Sequence, residues 1–177
     1  MEQDRFGRFS ETSNHPTPPA SDKKLQKAKN NAYSLLRSRP RSEFELRQRL
    51  KIKGYSKDVV ESIVSGLKGA GEIDDNKFAR LWVESRMHQN PMGDAVLRRE
   101  LQEKGVSDSI IETALADKAA HYDEFKVAFN MAEERFRQLA KLDKKKALKR
   151  LYDFLMRRGF TFDTVQRIVE EIAHDNG

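Results

Sequence analysis

The sequence predicts an all-α protein: an elongated array of three tandem three-helix repeats, nine helices in all, behind a disordered N-terminal tail. Three observations carry this. A nineteen-residue phrase occurs three times, as LRQRLKIKGYSKDVVESIV (residues 46–64), LRRELQEKGVSDSIIETAL (97–115) and LYDFLMRRGFTFDTVQRIV (151–169). Its starts lie fifty-one and fifty-four residues apart, a period that marks repeat architectures. Every copy has one skeleton: leucines at i and i+4, then a base, a glycine, an apolar residue and a hydroxyl. No segment alternates with period two for long enough to predict a strand.

Each element follows from local chemistry. Residues 1–22 hold three prolines, many Ser, Thr and Asn, and only Phe6 and Phe9 to bury, which predicts disorder. A helix over 28–37 opens the first repeat, and the Pro40 region ends it because proline disfavours helix at its predecessor. Ser42 and Glu45 form a capping box for the helix carrying Leu46 and Leu50. That helix runs into Gly54, where a left-handed turn costs least. Ser56 is placed to cap the next helix, whose apolar face is Val59, Val60, Ile63, Val64 and Leu67.

The second repeat reads likewise: a helix over 78–87, a break at Asn90-Pro91-Met92-Gly93, Leu97 and Leu101, then Gly105 and Ser107. The third has a helix over 124–139, Leu151 and Leu155, Gly159 and Thr161, then Val165, Ile168, Val169 and Ile172. The units are expected at 23–72, 73–119 and 120–177. One hairpin cannot bury its own apolar face, so stacked copies are expected to share a continuous core and form a long curved surface. With their faces satisfied internally, a monomer is expected.

Composition excludes whole classes of function. Hydrophobic residues make up 37% and charged residues 35% of 177, so no stretch approaches a membrane-spanning run. The amino terminus lacks the apolar core of a secretory signal, and a cytoplasmic location is expected. With no cysteine, thiolate catalysis and sulfur-ligated zinc are excluded. His15, His88, His121 and His174 are scattered, and no GxxxxGK[ST], GxGxxG or HExxH occurs. The expectation is a protein that is not an enzyme and has no cofactor or metal. Glu72, Asp74, Asp75 and Asn76 could suggest a hard-metal site, but acids at a helix start suit capping better. Trp82 shares an apolar face with Phe78 and Ala79, which predicts core rather than a base-stacking platform. The hairpins do not read as base-recognition modules, because their second helices open with acids: Asp58, Asp108 and Asp163.

Charge is the remaining signal. The net charge is +6, yet it is unevenly spread. Residues 37–53 carry seven Lys/Arg against two Glu, and 141–158 carry eight against two Asp. Residues 54–140 hold twelve basic and sixteen acidic residues. Basic ends around an acidic middle point to an anionic partner. The expected contacts are Arg39, Arg41, Arg47 and Lys51 at one end, and Lys144, Lys145, Lys149, Arg150 and Arg157 at the other. Lys57, Lys68 and Lys118, in the acidic middle, are expected to matter less.

Several linked motifs resemble one family. Arg41-Ser42-x-x-Glu45-Leu46, preceded by Arg39-Pro40, looks like the RSxxEL signature of the RecX family of bacterial RecA regulators. Ile73, Asp74, Asp75, Phe78, Ala79, Trp82, Val83 and Arg86 are similar to its second repeat, as are Gly93, Leu97, Glu100, Leu101, Lys104, Gly105 and Val106. Phe154, Leu155, Arg157, Arg158, Gly159 and Phe160 resemble the third. The resemblance spans about residues 27–173. It implies a non-enzymatic modulator lodged in the groove of the RecA–single-stranded-DNA filament. There it would restrain ATP hydrolysis, strand exchange and co-protease activity, and so DNA repair and the SOS response. The family supplies no fixed catalytic residues. The alternative is a helical repeat that binds nucleic acid without RecA.

Overall fold

The computed structural model describes residues 20–175. Nine helices and no strand occur among them: α1 (Ala20–Ser38), α2 (Glu43–Ile52), α3 (Lys57–Gly69), α4 (Asp75–Gln89), α5 (Asp94–Glu103), α6 (Asp108–His121), α7 (Glu124–Gln138), α8 (Lys144–Arg157) and α9 (Phe162–Asp175). Residues 1–19 of the expected tail lie outside the described residues. Positions 20–22, also assigned to that tail, instead open α1. The stretch that follows, Lys23 to Ala28, is made of strong helix formers, and Asp22 sits in the first turn where an acid is favoured.

Helices pack within repeats. α1 contacts α2 and α3, α6 contacts α4 and α5, and α7, α8 and α9 contact one another. Each hairpin buries its leucine pair completely: Leu46 and Leu50, Leu97 and Leu101, Leu151 and Leu155. Truncating one such leucine to alanine costs about 2–5 kcal/mol, a large fraction of what so small a unit can hold. The continuous core expected from stacking is absent. Three separate apolar clusters form instead, around Leu46 and Val60, around Leu97 and Ile111, and around Leu151 and Val165.

The turns are as the glycines require. Gly54, Gly105 and Gly159 have φ of 82°, 71° and 81°. Tyr55 and Val106 donate their N–H groups back to Leu50 and Leu101 carbonyls at 3.3 and 3.1 Å, closing the helix ends. The capping box at Ser42 and Glu45 is formed. Thr161 Oγ1 accepts from the Thr164 N–H at 3.3 Å. Ser56 and Ser107 stand at helix starts but their side chains accept no cap hydrogen bond. The Ser107 hydroxyl is engaged with Ser109 Oγ instead, at 3.2 Å.

What replaces a shared core is a repeated joint. The turn of one repeat lies on the first turn of the hairpin in the repeat before it. Between repeats one and two, Ser42 Oγ donates to the Lys104 carbonyl at 2.6 Å, and Lys104 Nζ reaches Glu45 at 3.5 Å. Phe44 covers Gly105 so closely that a Cβ there would sit 2.4 Å from Phe44 Cβ. Between repeats two and three, the Gly93 N–H donates to the Arg158 carbonyl at 2.8 Å. A Cβ on Gly93 would lie 2.1 Å from the Gly159 carbonyl oxygen. Arg158 then donates to Asn90 Oδ1 and to the Pro91 carbonyl.

Two predictions follow from this joint. Gly105→Val strains the left-handed turn and collides with Phe44, so the melting temperature falls by an amount equivalent to about 1 kcal/mol or more. Calorimetry of Gly105→Val in the parent and in a Phe44→Gly background, which removes the colliding Cβ, separates the two causes: strain persists in the double variant, the collision does not. The second concerns acid. Lys68 and Arg47 hold the Glu43 carboxyl below its ordinary value. Burial pushes Glu45 up, but the Arg39 hydrogen bond with Lys104 and Arg39 charge outweighs it, so Glu45 also lies low. A depressed carboxyl stabilises the fold above its unfolded-state value, and that contribution disappears as pH falls below the ordinary glutamate range. Melting temperature is expected to hold near neutral pH and drop in acid, with a shallower drop in Glu45→Gln.

Candidate partner interface

The two basic ends differ in kind. At the first end the guanidinium groups are mostly committed within the chain. Arg39 makes a two-pronged pair with Glu45, both bonds at 2.9 Å. Arg41 Nε donates to the Leu35 carbonyl at 3.1 Å, tying off the end of α1. Arg47 bridges Glu43 at 2.5 Å and Glu61 at 3.1 Å, linking α2 to α3. Of the expected set Arg39 and Lys51 stand exposed, Arg39 within its pair with Glu45 and Lys51 beside Arg49 and Lys53.

The other end is a continuous basic face. α8 buries Ala147, Leu151 and Leu155 along one stripe, which turns Lys144, Lys145, Lys146, Lys149, Arg150 and Arg157 outwards. Lys145 with Lys149, and Lys146 with Arg150, are like charges at i,i+4, a spacing that destabilises a helix. α8 also carries three lysines and no acid in its first turn, where the helix dipole disfavours cations. Among the described residues no carboxylate pairs with Lys145, Lys149 or Arg150. Local electrostatics opposes this arrangement.

The acidic middle holds a residue that sequence reasoning misplaced. Lys118 is not a solvated control: its side chain is 2% exposed and bridges Asp94 at 2.6 Å and Glu124 at 2.8 Å. Burial pushes its ammonium down, yet the hydrogen bonds to Asp94 and Glu124 together outweigh that and hold it above its ordinary value. The pairing joins α6 to the starts of α5 and α7. An alanine-and-charge pattern along α6 gave no sign of it. Asp74 caps α4 through the Asn76 and Lys77 N–H groups, at 2.8 and 3.2 Å, as read from sequence. Asp75 accepts from the Glu43 N–H at 2.8 Å, so both acids serve helix starts. Trp82 is half-buried against the second core; its Nε1–H donates to Glu100 at 2.8 Å. Lys104 and Arg86 lie over its ring, at 4.0 and 4.8 Å from the centroid.

If the α8 lysines are maintained against stability, acids in their place strengthen the helix. Lys145→Glu converts a repulsive i,i+4 pair into an attractive one and complements the dipole. The expected gain is about 0.3–1 kcal/mol, read as a raised urea midpoint. An unchanged or lowered midpoint shows that Lys145 is already satisfied within the chain.

Comparison with known proteins agrees with this architecture. Models of the first, second and third three-helix domains of RecX match residues 28–67, 74–115 and 122–169. A regulatory protein RecX of Amycolatopsis mediterranei is 32% identical over 163 residues, covering 90% of this chain and 93% of the relative. That of Prosthecochloris aestuarii is 35% identical over 152 residues, covering 86% and 97%. The crystal structure of RecX from Lactobacillus salivarius superposes with a TM-score of 0.73 at 22% identity, covering 85% of this chain and 97% of that one. Three separate cores, the glycine turns that end each hairpin's first helix, and three matched domains in order place the chain in the RecX family of regulatory proteins.

Proposed function

We propose that this chain restrains the RecA recombinase by lying along the RecA–single-stranded-DNA filament, and that it does so as a cytoplasmic monomer. The observation that supports this is the outer face of α8. There Lys145, Lys149 and Arg150, with no paired carboxylate among the described residues and like charges at i,i+4, suit an acidic protein surface or phosphates. The action is mechanical. Three repeats joined end to end, with domain limits near 23–72, 73–119 and 120–177, present an extended surface that can span several filament subunits. Occupying those subunits slows their ATP hydrolysis, strand exchange and co-protease activity, and with them the SOS response. No catalytic residue is needed. At the first end, Lys51 reaches outwards while Arg39, Arg41 and Arg47 hold α1, α2 and α3 in register. At the far end Lys144, Lys145, Lys149, Arg150 and Arg157 make the contact.

The test is RecA's DNA-dependent ATP hydrolysis. Lys145, Lys149, Arg150 and Arg157 changed together to alanine are expected to weaken inhibition strongly with near-normal melting, since exposed charges support a fold little. Arg39, Arg41 and Arg47 changed to alanine are expected to lower the melting temperature as well, because their bonds are internal. Full inhibition by the α8 variant at low and high salt removes that face from the interface. Salt-steep binding to DNA alone, with no effect on RecA, favours the nucleic-acid-binding alternative.

A further inference from the structure

Resting on that reading, we infer that the turn Ile52–Lys53–Gly54 of the first repeat is a vacant copy of the inter-repeat joint. It receives the first turn of an α-helix from a partner protein. The joint occurs twice inside the chain. In each case the residue before the turn glycine does three things. Its carbonyl accepts from the neighbour's helix start: Lys104 from Ser42 Oγ at 2.6 Å, Arg158 from the Gly93 N–H at 2.8 Å. Its side chain crosses to that neighbour, Lys104 to Glu45 and Arg158 to Asn90. It also lies over an aromatic ring of its own repeat, Lys104 on Trp82 at 4.0 Å and Arg158 on Phe154 at 4.9 Å. The glycine is then covered by an apolar side chain, Phe44 or Val96.

Lys53 is the third such residue and has the same backbone. Its φ and ψ are −75° and 2°, against −88° and 4° for Lys104 and −77° and −7° for Arg158. The turn is therefore preset for docking, which lowers the ordering cost of binding. Yet Lys53 is exposed, and no described residue lies within 4 Å of where a Cβ on Gly54 would stand. Beside it Ile52 is 75% exposed, where the other repeats carry Glu103 and Arg157. A terminal repeat ordinarily turns a polar face outwards. This end is apolar and basic instead.

The occupant follows from the two internal examples. It is a helix start with a hydroxyl or bare N–H donor at its cap, an apolar residue in its first turn and a carboxylate in reach of Lys53 Nζ. The three hairpin starts of a second copy of this chain do not supply it. The starts of α2 and α5 are already occupied, and α8 begins one turn earlier. That longer helix puts buried Ala147 where Ser42 and Gly93 stand in the other repeats.

The experiment uses the full-length protein and RecA assembled on single-stranded DNA. Ile52→Asp and Lys53→Glu are each expected to weaken filament binding about tenfold, as one well-packed interface contact does. Their circular-dichroism melts should match the parent's. A benzophenone side chain at position 52 is expected to crosslink to RecA within the first turn of one of its helices. Unchanged affinity of both variants overturns the inference. So does a crosslink to DNA, to a second copy, to this chain's own amino terminus, or to a RecA loop or helix interior. If the parent itself fails to bind the filament, the proposed function falls and takes this inference with it. A parent that binds alongside unaffected variants removes the inference alone.

Discussion

The fold depends on how a left-handed glycine turn from one repeat lies against the first turn of the hairpin in the repeat before. Both partners in that contact are helix ends, which carry unsatisfied backbone groups. Ser42 Oγ donating to the Lys104 carbonyl, and the Gly93 N–H donating to the Arg158 carbonyl, satisfy some of them across the boundary. The approach is close enough that a Cβ on Gly93 or Gly159 would meet backbone. Three small cores are thus linked by polar, backbone-level contacts rather than merged into one.

That construction has mechanical consequences. A shared apolar core would make the array a stiff rod, because close-packed interiors transmit strain. Here each repeat keeps its own leucines, and the joints are a few hydrogen bonds, an ion pair and one covering side chain. Small rotations between repeats cost little apolar burial.

The charge pattern divides by structure in a way that counting could not reveal. Arg39, Arg41 and Arg47 are tied to groups of the first repeat, while Lys145, Lys149 and Arg150 on α8 face outwards with no carboxylate paired to them among the described residues. Lys118 goes further, buried between Asp94 and Glu124 where the acidic middle needs a positive charge. Equal formal charges therefore do unequal work. What separates them is burial and the distance to a carboxylate.

The sequence by itself determined the helices, their order, the turn glycines and the threefold repeat. Those features are local: leucine spacing, a left-handed glycine, an acid or Ser42 at a helix start. It also determined the family, since ordered motifs survive in linear form. Only the tertiary structure decided which bases are free, that the cores are separate, and that Gly93 and Ser42 are joint residues as well as helix starts. Gly93 has an ordinary negative φ, so nothing along the chain demanded glycine there. The demand comes from a carbonyl sixty-six positions away in sequence, at Gly159, and such a contact exists only once the repeats have stacked.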